Sequence, residues 1–152
     1  MSVDEAYNYK KVSDTTCTAG RLSEQQLGIL KQEGYEAVIN LLPDDSQYAL
    51  PGERELIEQQ GLDYQYIPVD FGAPQERDYS EFERALQALG DRKAMIHCAA
   101  NYRVSAFYAI YAHRNLGWSS QKSGEHIASL WNPAEHPPWD TFIARMLQVS
   151  GE

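Results

Sequence analysis

Three short apolar and β-branched runs, each bordered by helix-patterned sequence, limit the folds open to this chain more than any other feature. They are Ala37-Val-Ile-Asn-Leu-Leu42, Tyr64-Gln-Tyr-Ile-Pro-Val69 and Lys93-Ala-Met-Ile-His97. A strand that is apolar at consecutive positions is buried on both faces, and such strands alternating with helices form a parallel sheet covered on each side. The helical segments carry their own signals. Ser23 and Gln26 make a capping box ahead of Leu27 and Leu30, with Gly34 as the stop. A short helix is expected over 52–60, ending at Gly61. Ser80 and Glu83 match a second capping box, which predicts a helix up to Gly90 and leaves 70–78 as loop. Phe82, Ala85, Leu86 and Leu89 share one face of it. Further helices are expected around Phe107–Tyr111, over about 120–131, and after Pro137-Pro138, where Trp139, Phe142, Ile143, Met146 and Leu147 keep helical spacing. The expectation is a three-layer α/β fold, with a mostly parallel sheet of about four to five strands. Pro68 makes its strand irregular or puts it near a sheet edge.

At 152 residues and 43% hydrophobic, the sequence suits one domain, 1–152, with its own core. Residues 1–12 are polar and read as a loosely held leader, neither a secretory signal nor a transit peptide.

Ligands of such sheets collect at the carboxyl ends of the strands. There the chemistry concentrates in Ile96-His-Cys-Ala-Ala-Asn-Tyr-Arg-Val-Ser-Ala-Phe107. A thiol, Cys98, closes a buried strand. A short segment follows, then Arg103 and the start of a helix. Converging loop amides and a helix N-terminus make an anion cradle, and an arginine adds a bidentate fork for phosphate or sulfate oxygens. The same field favours a thiolate, the nucleophilic form of cysteine.

His97-Cys98 followed by Arg103 and Ser105 resembles the His-Cys…Arg-Ser/Thr loop of cysteine-dependent protein phosphatases, especially the compact dual-specificity type. Thr18-Ala-Gly-Arg-Leu-Ser23, Val38-Ile-Asn-Leu41 and Tyr66-Ile-Pro-Val-Asp70 resemble the small bacterial family labelled beta-lactamase-hydrolase-like. The match covers roughly residues 15–116. Four residues separate Cys98 from Arg103, one fewer than in the usual loop, and Val104 stands in the usual arginine slot. The glycine common in that loop is absent, and Asn101 is the residue suited to its unusual backbone angle.

The resemblance implies a metal-independent phosphatase, without cofactor, hydrolysing a phosphomonoester such as phosphotyrosine or phosphoserine through a cysteinyl phosphate. Cys98 is then the nucleophile. The loop residues Ala99, Ala100, Asn101, Tyr102 and Arg103 hold the phosphate, Ser105 hydrogen-bonds the sulfur, and His97 supports the loop. Asp70, ending the strand 64–69, is the expected general acid; Asp44 and Asp45 are its alternates. Tyr102, Tyr48 and Phe71 are candidate pocket walls. Two other readings stay open. One is a rhodanese-like sulfurtransferase carrying a persulfide on Cys98. The other is a non-catalytic anion-binding or interaction domain with a degraded loop.

Other features read as structure. Cys17 suits packing, and two cysteines in all suit a reducing cytoplasm. His113, His126 and His136 lack ligand spacing with the cysteines. Trp118, Trp131 and Trp139 suit the core of the C-terminal helices. Thirteen basic against 22 acidic residues give a charge of −9, which argues against nucleic acid or an anionic membrane as partner. The expected partner is a phosphorylated substrate, protein or small molecule.

Overall fold

The computed structural model describes residues 2–150. Five strands form one sheet: β1 (Lys10–Lys11), β2 (Thr16–Ala19), β3 (Ala37–Asn40), β4 (Asp63–Tyr66) and β5 (Ala94–His97). Their order is β1-β2-β5-β3-β4, and every pairing except β1 with β2 is parallel. The helices are α1 (Glu24–Gly28), α2 (Glu53–Glu58), α3 (Glu76–Leu89), α4 (Tyr102–Asn115), α5 (Ser120–Ala128) and α6 (Pro137–Ser150). Among the described residues, no helix is long and apolar enough to cross a membrane.

The strands are apolar throughout because each face meets its own core, and side chains alternate between the two. Ala37, Ile39, Ala94 and Ile96 join Phe82, Phe107, Ile110 and Phe142 of α3, α4 and α6. Val38 and Met95 face the other way, onto Leu27 of α1, Ile57 of α2 and Cys17. Cys17 is thus a packing residue, with its sulfur accepting from the Tyr9 hydroxyl at 3.2 Å. The edge position of β4 agrees with Pro68, which falls just beyond it.

Three expectations give way. Residues 1–12 are not a loose leader from Val3 onward. Val3 and Ala6 are buried in the second core, and the short strand β1 pairs with β2. A polar composition concealed these few apolar anchors. The helix expected from Ser80 starts one turn earlier, after Gln75, so 76–78 is not loop. Tyr79 is 1% exposed, and its ring packs on Phe82 and Phe107. Burying Tyr79, Phe82, Leu86 and Leu89 together fixes the helix start, with Glu76 and Asp78 favourable in its first turn. Finally, α1 keeps its Ser23–Gln26 capping box but has only five residues.

Candidate active site

Strands β3, β4 and β5 end side by side, with Asn40 in register with both His97 and Tyr66. Backbone bonds continue the sheet into the loops: Leu41 N to His97 O at 2.9 Å, Ile67 N to Asn40 O at 2.9 Å, and Val69 N to Leu41 O at 3.1 Å. The loop after β5 is therefore flanked by those after β3 and β4, which carry Asp45 and Asp70.

Cys98 is fully buried at the foot of its loop. Asn101 adopts the left-handed conformation, φ 68°, immediately before α4, which is the backbone angle expected of it. The loop carbonyls are claimed from outside. Ala99 O accepts from Arg21 N at 2.9 Å, and Ala100 O accepts from Asn8 Nδ2 at 2.9 Å. Asn101 Nδ2 donates back to Asn8 O at 2.9 Å and to Thr18 Oγ1 at 3.0 Å. Asn8 is itself left-handed, φ 52°, so two strained asparagines brace each other. In a trans peptide the N–H points opposite the C=O. Holding these carbonyls toward the N-terminal arm turns the amides of Ala100 and Asn101 the other way, as an anion cradle requires.

Gly20 allows the arm to come this close. A Cβ there would lie 2.7 Å from Ala99 O and 2.9 Å from Ala100 Cα.

Arg103 leans toward the β4 exit. Its Nε donates to Val69 O at 2.8 Å, and its guanidinium lies 5.2 Å from the centre of the Phe71 ring. Among the described residues no carboxylate pairs with it. A cavity of about 440 Å³ brings Arg103 together with Asp45, Ser46, Asp70 and Phe71. Asp70 is exposed, and its Oδ1 accepts from Gly72 N at 2.9 Å, closing a tight turn. Asp44 points elsewhere: its amide accepts no role here but donates to the Tyr66 hydroxyl at 2.8 Å, and it lines a separate cavity with Glu53 and Tyr64.

Ser105 does not donate to the cysteine sulfur as expected. Its hydroxyl donates to Tyr102 O at 3.1 Å and accepts from Trp131 Nε1 at 2.9 Å. Trp131 also stacks flat on Tyr102, with centroids 4.6 Å apart. Trp139 is fully buried and donates to Phe71 O at 2.6 Å. Trp131 and Trp139 are core, as expected, and they also buttress the loop and the Phe71 segment, whereas Trp118 is only partly buried, against Tyr108 and His126.

His97 Nε2 lies 2.6 Å from Glu53 Oε2, and both side chains are buried. Burial, and then the Glu53 carboxylate, raise the Tyr64 hydroxyl above its ordinary range. That hydroxyl accepts from Asn40 Nδ2 at 2.9 Å, and Asn40 Oδ1 accepts from Leu42 N at 2.9 Å. Polar groups at the ends of β3, β4 and β5 are thereby tied into one network.

Sequence reasoning missed Asn8, Gly20, Arg21 and Glu53. Gly20 and Arg21 fall in the run Thr18–Ser23 that carries part of the resemblance, but with no role attached; Glu53 left a chemical trace, since a buried histidine beside such a cysteine needs a partner and acids on the neighbouring helix are the supply.

No family model matches the chain. Two crystal structures of a phosphatase-like DUF442 protein from Shewanella putrefaciens CN-32 are similar to it. One is 33% identical, with a TM-score of 0.83 over 93% of this chain and 89% of that one. The other is 32% identical, with a TM-score of 0.85 over 99% and 97%. P. aeruginosa TpbA, solved with pTyr, shares the fold at 16% identity, with a TM-score of 0.72 over 95% of this chain and 91% of that one. Among curated proteins, a beta-lactamase hydrolase-like protein of Xylella fastidiosa (strain Temecula1 / ATCC 700964) is 26% identical over 102 residues, 65% of this chain. The chain spans about a quarter, 23%, of that relative's length.

Proposed function

This chain belongs to the DUF442 family, on the dual-specificity-like fold of cysteine-dependent phosphatases, and from that premise we propose that it hydrolyses a phosphomonoester through a cysteinyl phosphate. The observation that carries the reading is the cavity joining Arg103 and Asp70 beside a loop whose carbonyls are held outward. Cys98, as thiolate, attacks phosphorus; the S–P bond forms as the ester P–O bond breaks. Asp70 gives a proton to the departing oxygen. Arg103 and the amides of residues 99–103 hold the three phosphoryl oxygens in the transition state. A water then attacks the phosphocysteine, its proton returns to Asp70, and inorganic phosphate leaves with the thiolate restored. His97 and Ser105 are positioning residues in this scheme: His97 through Glu53, Ser105 through Tyr102 and Trp131. Asp45, on the same cavity, is the alternate acid.

A second reading, a phosphate-binding domain without turnover, is favoured by the complete burial of Cys98 together with the short spacing to Arg103. One pair of measurements separates the two. Phosphate binding and hydrolysis of p-nitrophenyl phosphate are followed for wild type and Cys98→Ser. An enzyme loses turnover on substitution and keeps phosphate binding, because an unactivated hydroxyl is a poor nucleophile. Phosphate binding with no turnover in either protein selects the binding domain. Cyanide-dependent consumption of thiosulfate would instead mark a sulfurtransferase.

A further inference from the structure

Beside the loop sits a cation that the scheme above does not use. Arg21 follows Gly20, and its guanidinium lies over two tyrosine rings, 4.7 Å from the centre of Tyr7 and 4.6 Å from that of Tyr48. Both rings are about half exposed, 49% and 47%. Its backbone amide holds Ala99 O at 2.9 Å, and Nη1 reaches the same carbonyl at 3.5 Å. Among the described residues no carboxylate pairs with Arg21, although the chain carries 22 acids against 13 bases.

Stacking uses the faces of a guanidinium rather than its N–H edge, so donors beyond the one on Ala99 O remain for an anion. A planar fork fixed by two rings loses little freedom on gripping an anion, so it is preorganised for one. Its place is also defined. Tyr48 belongs to the loop after β3 that sends Asp45 and Ser46 into the cavity of Arg103 and Asp70. Arg21 is thus tied at one end to the loop after β5, through Ala99 O, and at the other to the loop after β3, through Tyr48.

We propose that Arg21, clamped by Tyr7 and Tyr48, is a second anion subsite, and that the substrate is a phosphomonoester carrying another phosphate or carboxylate near the scissile group. This deepens the phosphatase reading and rests on its cradle. A substrate with one negative group fills only the Cys98 loop; a substrate with two also engages the clamped fork.

The test is binding, so that it stands apart from turnover. Inorganic phosphate, pyrophosphate and tripolyphosphate are titrated calorimetrically into the full chain at fixed ionic strength. Wild type is expected to bind at least one of the condensed phosphates about tenfold more tightly than phosphate, as one charge-assisted bidentate contact warrants. Arg21→Gln should erase that preference, because affinity for the condensed phosphates falls further than affinity for phosphate itself. Lys122→Gln, which removes the same charge from α5, should preserve the preference, and this excludes a general charge effect. Tyr48→Ala should weaken the preference while leaving the charge in place. The subsite is overturned if Arg21→Gln and Lys122→Gln behave alike, or if wild type shows no preference. If phosphate itself does not bind, the cradle fails and the subsite falls with it; if phosphate binds but nothing is hydrolysed, the subsite stands and only the catalytic reading fails.

Discussion

Replacing Gly20 by alanine adds one carbon where the chain has room for none. The new Cβ would meet Ala99 O at 2.7 Å and Ala100 Cα at 2.9 Å, and both are backbone atoms of the loop proposed to hold phosphate. Ordinary contacts begin at 3.4 Å, so relief takes about 0.7 Å of movement by the loop or by the end of β2, which Gly20 directly follows. Neither is free to move. β2 is paired on both sides, and the loop is tied by Arg21 N, Asn8 and Asn101. Overpacking of this kind costs about 1–3 kcal/mol. For a chain of this size that corresponds to a fall in Tm of roughly 2–12 °C. The effect on chemistry should be larger than the effect on folding. A displacement approaching 1 Å in a group that positions the reacting atoms lowers rates by up to about a hundredfold. A tenfold to hundredfold loss of kcat/KM is therefore expected, with weakened phosphate binding at temperatures well below Tm. Gly28→Ala is the control, since its Cβ would meet only Leu56 Cδ1 at 4.0 Å. Turnover should be unaffected there, and Tm unchanged or slightly raised. A Gly20→Ala protein with wild-type Tm and wild-type phosphate affinity would refute the idea that the arm sets the loop. A large drop in Tm with unaltered turnover would show that the loop is not the cradle.

Three further outcomes follow from the same geometry. Asp70→Asn keeps the acceptor for Gly72 N but removes the transferable proton, so it should slow phenyl phosphate hydrolysis by roughly 10²–10⁴ and p-nitrophenyl phosphate hydrolysis far less; an equal loss on both would assign Asp70 to structure. Glu53→Ala leaves buried His97 without its partner and should destabilise by about 1–3 kcal/mol in a denaturant titration, with Glu53→Gln closer to wild type. His126 is held near pKa 4, below the ordinary 6.5, first by burial and then by Lys10; the unfolded chain binds the extra proton, so stability is complete above about pH 6.5 and declines toward pH 4, by about 2–3 kcal/mol at most, and His126→Gln should flatten that limb of a Tm–pH profile.

The fold was readable where burial is two-sided. Runs such as 37–42 and 93–97 announce themselves because both faces of the sheet are covered, and the last helix does so through its unbroken apolar spacing. β2 left no such mark. Thr16-Cys-Thr-Ala is fully internal, yet half of it is polar, because Thr18 gives its hydroxyl to Lys10 O and receives Asn101. Local side-chain bonding thus removes the apolar signature a buried strand normally carries. The Ser80–Glu83 pair misled in the opposite way. Its cap pattern is genuine chemistry, but the burial of Tyr79 outweighs it and carries the helix back one turn. At the site, the Cys98 loop was legible because its residues are adjacent in sequence. Asn8, Gly20 and Arg21 were not, since their roles exist only once β2 lies beside β5, an arrangement of residues some eighty positions apart.

The shortened loop also has a physical meaning. Successive residues of an α-helix are rotated by about 100°, so moving the arginine one position earlier swings it to a different side of α4. Val104, in the usual arginine slot, is fully buried among the apolar side chains of the main core. Arg103 instead meets the exit of β4, where Nε holds Val69 O, the carbonyl next to Asp70. A guanidinium has further N–H groups on its Nη atoms, so that bond leaves donors for an anion. In this chain the proposed cation of the cradle and the segment bearing the proposed acid are therefore mechanically joined. Phe71 extends the link, with its ring against Arg103 and its carbonyl held by Trp139 of α6. A swinging acid loop, independent of the cradle, is incompatible with that anchoring. Asp70 sits between these two held carbonyls, so its carboxylate reaches a bound ester by side-chain rotation, which releases its bond to Gly72 N, or else the Arg103–Val69 or Trp139–Phe71 bond breaks.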